Sequence, residues 1–431
     1  MKRVLIRDLG RYLNKEVLIY GWIEGIRKLG KLKFFIIRDR SGQIQGVCDK
    51  EIENLDKLEK ASVVKIFGKV KEEAQAPKGM EILIEKVEIL NLPKSNLPFE
   101  YYRDLSLLNL KLDMILDYRP LSLRNIKIGN IFRIQAGIVK VYREFLEKND
   151  FLEVHTPKIV SSGTEGGSQL FKVEYFDQVA YLAQSPQFYK QMLVGAGFER
   201  VYEVGFVYRA EDHETSRHLN EYLSLDWEMG FIEDEDDVMD LEVKFLKYLF
   251  KYLKKEYKEI LKEYNSELEE IKEIPRIPFY EAKEILKKEY NKEFLGDDLT
   301  PEEERILCEY SLNKYGTSFI FVTKFPRSIR PFYTMPDKNP TYSRGFDLLY
   351  KGMEVTTGSQ RIHDYDMLFE SIKHFGYNPE SFQFYLEIFK YGMPPHGGLA
   401  IGAERLTCQI LNLKNIREAS LFPRDRYRLA P

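Results

Sequence analysis

Cysteine is almost missing from this chain: 431 residues hold three, Cys48, Cys308 and Cys408, with no CxxC pair among them. That excludes a disulfide framework and a cysteine-based zinc cluster, and it fits a reducing cytoplasm. No apolar run approaches the roughly 20 residues of a bilayer span, and the opening Met1-Lys2-Arg3-Val4-Leu5-Ile6-Arg7-Asp8 breaks off too early for a signal peptide. A cytoplasmic protein with no membrane segment is expected. Also missing are GxxxxGK[ST] and a GxGxxG after a strand, so neither a P-loop nor a dinucleotide turn is available, and any triphosphate would have to be held by arginine side chains and metal. Neither sign of charge is in excess: 65 Lys+Arg against 68 Asp+Glu give a net charge of −3, which excludes a histone-like polycation. Residues 1–100 are more basic than the whole, with 20 Lys+Arg against 15 Asp+Glu.

What is present divides the chain in two. Residues 15–92 read as five short strands with turn signals between them: 16–23, 32–39, 43–47, 62–70 and 80–90. Five strands in under a hundred residues suggest a small barrel. Residues 1–98 are therefore taken as one domain, with Asn91 to Pro98 as a hinge carrying Pro93 and Pro98, and 99–130 as connector. From Ile131 apolar residues recur at helical spacing (Ile134, Ile138, Val141, Tyr142, Phe145, Leu146), and Asn149-Asp150 stops that helix before a strand from Phe151 to His155. Ser185-Pro186 predicts the start of another helix, with Gln187 and Lys190 on one face and Gly195 and Gly197 at its end. Residues 233–310 are rich in Lys and Glu at helical spacing, with a capping box at Thr300-Pro301-Glu302-Glu303. They predict a mostly helical insertion in a domain over 131–431, in an α+β chain.

Two separated stretches carry the chemistry. Arg209-Ala210-Glu211 lies on a strand, so Arg209 and Glu211 share a face, and Arg217-His218 follows a turn. On the return strand His218, Asn220, Tyr222, Ser224, Asp226 and Glu228 share one face, while Leu219, Leu223, Leu225 and Trp227 take the other. Nearly 200 residues on, Gly398-Leu399-Ala400-Ile401-Gly402-Ala403-Glu404-Arg405 runs from a glycine-rich strand into a helix. A buried arginine there is costly without an anion to meet. Between them, Phe346 to Thr357 reads as a hairpin with Lys351-Gly352 at its tip. Pairing Tyr350 with Met353 sets Leu349 opposite Glu354 and puts Asp347 and Glu354 on one face. Two carboxylates and the Thr357 hydroxyl could hold Mg2+; otherwise they need a cationic partner.

The Arg-x-Glu strand, the glycine-rich strand leading to Arg405, and Pro157 in Phe-Leu-Glu-Val-His-Thr-Pro resemble, in this order, the three signatures of class II aminoacyl-tRNA synthetases. The whole chain is similar to the archaeal type of the aspartyl branch. The resemblance implies an OB-type anticodon-binding barrel and a catalytic domain built on a six-stranded antiparallel sheet flanked by helices, working as a homodimer with Pro157 at the interface. ATP would be bound by Arg209 at the α-phosphate, Glu211 near the adenine or ribose, Arg217 and His218 at the γ-phosphate, Tyr222 stacked on the adenine, and Leu219, Glu354, Gly402 and Arg405 around it. Arg209, Glu211 and Arg405 are the implied catalytic set. Asp347, Glu354 and Thr357 would serve Mg2+, with threonine where serine is common. L-aspartate would meet Glu165 of a closing loop, Gln187, Lys190, Arg209, Thr357 and Arg361, with Lys190 and Arg361 on its side-chain carboxylate. In the barrel, Arg27, Phe34 and Gln45 match anticodon-reading positions of tRNA(Asp) enzymes. Pro77 matches members that also charge tRNA(Asn), whereas Glu24 matches neither pattern. An asparaginyl enzyme and a non-catalytic RNA- or amino-acid-binding paralogue are the alternatives. An asparagine synthetase on the same catalytic fold would lack the barrel.

Overall fold

The computed structural model describes residues 1–104, 108–163, 169–212, 215–290 and 296–431. Two compact units result, Met1–Ile126 and Lys127–Pro431.

In the first unit β1 (Glu16–Leu29), β2 (Leu32–Asp39), β3 (Gly42–Cys48), β4 (Val63–Glu72) and β5 (Met80–Asn91) close in the order β1-β2-β3-β5-β4. Alternation sets the core: Val17, Ile19, Ile23, Phe35, Ile37, Ile44, Val64, Ile66, Ile82 and Ile84 point inward, and Ile6 and Leu9 of a short 3-10 turn pack on them. Two glycines let the strands cross closely, since a Cβ on Gly21 or Gly68 would lie 2.4 or 2.3 Å from the carbonyl oxygen of Arg38 or Leu83. Sequence spacing assigns 99–130 to a connector, but the first unit extends to Ile126. Aromatic and amide contacts do this: Tyr101 is fully buried, the Arg124 guanidinium lies 5.4 Å from the Trp22 ring centre, and Asn125 Nδ2 donates to the Tyr101 carbonyl at 2.7 Å. The long helix accordingly begins at Ile126, five residues before the first predicted position, and ends at Glu147.

The second unit adds β6 (Leu152–Glu153), β7 (Ile159–Val160), β8 (Lys172–Tyr175), β9 (Gln178–Leu182), β10 (Arg200–Tyr208), β11 (Glu221–Gly230), β12 (Arg276–Pro278), β13 (Phe319–Thr323), β14 (Gly345–Tyr350), β15 (Met353–Arg361) and β16 (His396–Gly402). The main sheet runs β12-β13-β14-β15-β16-β11-β10-β6. Its six central strands are antiparallel, as expected, and β12 and β6 join the edges in parallel. Strands β7, β9 and β8 form a separate small sheet. One face of the main sheet is covered by helix Ile126–Glu147 and helix Glu235–Glu256, whose Ile134, Ile138, Tyr142, Val238, Phe245 and Leu249 meet Leu225, Trp227, Leu348, Tyr350 and Leu399. Tyr142 stacks on Trp227 with ring centres 5.9 Å apart. Burial of each large side chain there contributes on the order of 2–3 kcal/mol. The other face keeps the polar residues. The helical segment 233–310 holds helices Glu235–Glu256, Lys258–Glu263 and Phe279–Tyr290 and the start of helix Pro301–Tyr315, and it also supplies the edge strand β12.

The hairpin β14–β15 turns at Lys351 (φ 48°) and Gly352 (φ 84°), the left-handed pair that suits a two-residue turn. Tyr350 faces Met353 and Leu349 faces Glu354, but the register then shifts, so that Leu348 faces Thr356 and Asp347 faces Thr357. Val355 is the extra residue of a β-bulge and packs in the core.

Beneath this bulge lies Glu242, fully buried, its Oε1 accepting from the Thr356 hydroxyl. Burial pushes its carboxyl up to about 8. The folded value lies above the ordinary one, so its contribution to stability is complete below pH about 4.5 and is lost toward pH 8. Glu242→Gln should remove that slope. Denaturant unfolding is expected to show the variant gaining on the parent by about 1.4 kcal/mol per pH unit between pH 5 and 7.5; a pH-independent difference would contradict this ionisation.

Candidate active site

The polar sheet face is floored by β10, β11, β14, β15 and β16. A cavity of about 390 Å³ there is lined by Gln187, Lys190, Arg209, Asp347, Glu354 and Arg361, among others. An adjoining cavity of about 200 Å³ is lined by Glu211, Arg217, His218, Leu219, Gly402 and Arg405. Arg209, Tyr222, Ser224, Glu354, Thr357 and Ala400 belong to both, so the two stretches that are far apart in sequence meet in one place. Sheet pairing is the cause: β11 lies between β10 and β16, with Ser224 opposite Gly402. A Cβ on Gly398 would stand 2.1 Å from the Trp227 carbonyl oxygen and 2.3 Å from Glu228 Oε2, so only glycine allows this approach.

In the smaller cavity the Arg209 guanidinium lies 5.8 Å from the Tyr222 ring centre. His218 Nε2 is 3.7 Å from Glu211 Oε2, and burial holds the imidazole below its ordinary pKa. Arg405 Nη1 donates to the Glu354 carbonyl at 3.1 Å and lies 3.3 Å from its carboxylate. Burial alone would raise the Glu354 pKa, but Arg405, Arg330 and Arg209 draw it below the usual range. Arg217 donates to Glu304, a residue with no signal in the sequence patterns.

Asp347, Glu354 and Thr357 all line the larger cavity, although residues three apart on a regular strand point to opposite faces. The bulge at Val355 restores Glu354 and Thr357 to one face. Asp347, however, is held by both oxygens: Arg330 donates from Nη1 to Oδ1 at 2.9 Å and from Nη2 to Oδ2 at 2.6 Å, and from Nη1 to Thr357 Oγ1 at 3.1 Å. The cationic partner that these carboxylates would otherwise need is Arg330, in a loop without a motif. The described residues contain no group of three His, Cys, Asp or Glu poised for a metal.

Lys190 and Arg361 are not idle cations. Lys190 Nζ donates to Asp226 Oδ1 (3.1 Å), the Trp227 carbonyl (3.3 Å) and the Leu399 carbonyl (3.0 Å), which uses its three hydrogens. Arg361 donates from Nε and Nη2 to the two Glu228 oxygens at 3.0 and 3.3 Å, from Nη2 to Gly398 at 2.9 Å, and from Nη1 to Ser359 Oγ. By that count one Nη1 hydrogen remains for a ligand. Burial would raise the Glu228 pKa, but Arg361 and Lys190 hold it low. Asp226 and Glu228 were visible in sequence as part of the polar face of β11, yet nothing there marked them as the cations' partners. Gln187 is 4 % exposed and lines the same cavity; its Nε2 has no hydrogen-bond partner among the described residues. Glu165 lies outside the described residues.

In the barrel, Phe35 and Ile37 are buried, whereas Phe34 is half-buried on the outer face, opposite Arg27 on β1. Gln45 faces Ile36 on that side and donates to Glu81 at 2.9 Å. Pro77 is exposed in the β4–β5 turn. Glu24 is 1 % exposed; it sits at the β1 bulge, accepts from Gln43 Nε2 at 2.6 Å and lies 3.4 Å from Arg38 Nε. It therefore ties neighbouring strands of the barrel wall together and is not presented to solvent. Pro157 is exposed, with Leu152 and Ile159 half-exposed nearby (49 % and 50 %).

A family model for class II tRNA synthetases (D, K and N) matches residues 111–426, and one for the OB-fold nucleic acid binding domain matches 17–90. The aspartate-tRNA(Asp/Asn) ligase of Thermus thermophilus is 47 % identical over all of both chains. The aspartate-tRNA(Asp) ligase of Pyrococcus abyssi is 42 % identical over 97 % of each. Among solved structures, asparaginyl-tRNA synthetase from Pyrococcus horikoshii complexed with asparaginyl-adenylate superposes with a TM-score of 0.93 at 32 % identity over all of both chains. Joined in one chain, the arginine-lined double cavity, the antiparallel sheet beneath it and the five-stranded barrel have one home: this protein belongs to the class II aminoacyl-tRNA synthetases of the D, K and N group.

Proposed function

We propose that the enzyme attaches L-aspartate to tRNA(Asp), and to tRNA(Asn) as well, through an aspartyl-adenylate. The observation that carries this reading is the continuity of the two cavities through Arg209, with Arg217, His218 and Arg405 on one side and a pocket holding Arg361 and Gln187 on the other. The aspartate α-carboxylate attacks the α-phosphate of ATP in line, the bond to the β-phosphate breaks, and pyrophosphate leaves. Arg209 stabilises the charge that builds on the phosphoryl oxygens. A ribose hydroxyl at the tRNA 3′ end then attacks the adenylate carbonyl and AMP departs. Tyr222 offers the adenine a ring, while Arg217, His218 and Arg405 face the phosphates.

The oxygen donors present fit a phosphate-bound Mg2+ ion. Glu354, one-third exposed at its side chain, is the ligand able to turn to the metal, with Thr357 beside it; Asp347 could join only after release from Arg330. Magnesium, when bound, offsets phosphate charge.

For the amino acid, the remaining Arg361 N–H meets the aspartate side-chain carboxylate, and Gln187 Nε2 supplies a second donor. Lys190 acts at one remove, holding Asp226 and tying β11 to β16. The asparaginyl-tRNA synthetase likeness keeps asparagine as the second reading. Pyrophosphate exchange decides between them: aspartate should support it and asparagine should not. A reversed preference would sink the aspartate reading while leaving the adenylate mechanism intact.

Phe34, beside Arg27 and Gln45, stacks an anticodon base. Phe34→Ala should raise the KM for tRNA(Asp) transcript roughly 5- to 100-fold, the worth of one base stack, without changing aspartate-dependent exchange. Relaxed tRNA choice rests on Pro77 and on the likeness to an Asp/Asn ligase; charging both transcripts tests it directly. A homodimer joined around Pro157 would cover Leu152 and Ile159, and a cytoplasmic setting agrees with three buried free thiols.

A further inference from the structure

Helix Pro301–Tyr315 starts on a capping box: Thr300 Oγ1 accepts from the Glu303 N–H, and the Glu303 carboxylate accepts from the Thr300 N–H. Glu304, next along, is 8 % exposed and meets Arg217, which lines the smaller cavity. Its Oε2 accepts twice, from the Arg217 guanidinium and from the Glu354 backbone N–H, the latter at 2.9 Å. The same helix also packs on the hairpin tip, where a Cβ on Gly352 would stand 2.6 Å from the Arg305 side chain. One carboxylate thus fastens a loop arginine to the first residues of β15.

An arginine side chain carries about 2 kcal/mol of rotamer entropy, and an unanchored one on a loop would lose it on meeting a ligand. A guanidinium is a planar fork of five N–H donors, so fixing Nη2 leaves its other edge open to an anion. Glu304 itself does not line the cavity, whereas Arg217 does. We propose that Glu304 is a positioning residue that holds Arg217 ready for the terminal phosphate of ATP. The idea rests on the reading of Arg217 given above.

Four proteins test it: Glu304→Ala, Glu304→Gln, Arg217→Ala and the Arg217→Ala/Glu304→Ala double variant. In pyrophosphate exchange, Glu304→Ala should raise the KM for ATP about tenfold, as expected for loss of one charge-assisted hydrogen bond, with kcat and the KM for aspartate little changed. Inhibition by AMP, which has no terminal phosphate, should be unaltered. Glu304→Gln keeps an oxygen acceptor and should recover most of the loss, and the double variant should bind ATP no more weakly than Arg217→Ala. If Arg217→Ala leaves the KM for ATP unchanged, the reading of Arg217 fails and the proposal falls with it. If Arg217→Ala weakens ATP but Glu304→Ala does not, or tightens it, or weakens AMP equally, Glu304 is no positioning residue and Arg217 keeps its role.

Discussion

Arg209→Ala should lower kcat for aspartate-dependent pyrophosphate exchange by 10²- to 10³-fold, roughly 3–4 kcal/mol of transition-state stabilisation. Arg209 lines both cavities, and in the proposed mechanism it stands where the new bond forms. A group used mainly in the transition state changes kcat more than KM, and steady-state exchange over a range of both substrates separates the two. Arg209→Lys should recover little, because an ammonium has no planar fork to follow the phosphoryl oxygens. A loss smaller than tenfold would move the reaction centre elsewhere.

Arg361→Met should damage both stability and activity, for two separable reasons. Glu228 is fully buried and keeps its charge through Arg361 and Lys190. Removing one partner of such a pair costs about 3–5 kcal/mol, because the stranded charge has nowhere to go. Aspartate activation should also fall by at least about 100-fold in kcat/KM, as the side-chain carboxylate loses its charged donor. Adding Glu228→Gln should restore much of the unfolding free energy without restoring aspartate use. If the double variant regains both, Arg361 serves the fold alone.

Much of this was legible in the sequence because it depends on short-range rules. Two-residue alternation assigned Tyr222, Ser224 and Asp226 to one face and Leu225 and Trp227 to the other. Lys351-Gly352 fixed a hairpin tip and, with it, the pairing of Leu349 with Glu354. Thr300 to Glu303 gave a capping box. What stayed hidden depends on distant partners. Arg330 reaches Asp347 from a loop with no pattern, and Glu304 reaches Arg217 across 87 positions of chain. The occupation of Lys190 and Arg361 by Asp226 and Glu228 could not be inferred either, since residue type tells which charges exist and only the fold tells which are already matched. What holds this stretch to the barrel unit was hidden for a similar reason: Tyr101 and Arg124 look like linker residues until Trp22 and Asn125 are placed beside them.

The irregularity at Val355 lets an odd spacing serve one face of the sheet. A regular ladder with Val355 still in the chain would keep every acid, hydroxyl and guanidinium, yet Glu354 and Thr357, three apart, would fall on opposite faces and one of them would turn into hydrocarbon. Deleting the valine would instead leave the two residues two apart and on one face, so the extra residue and the bulge belong together.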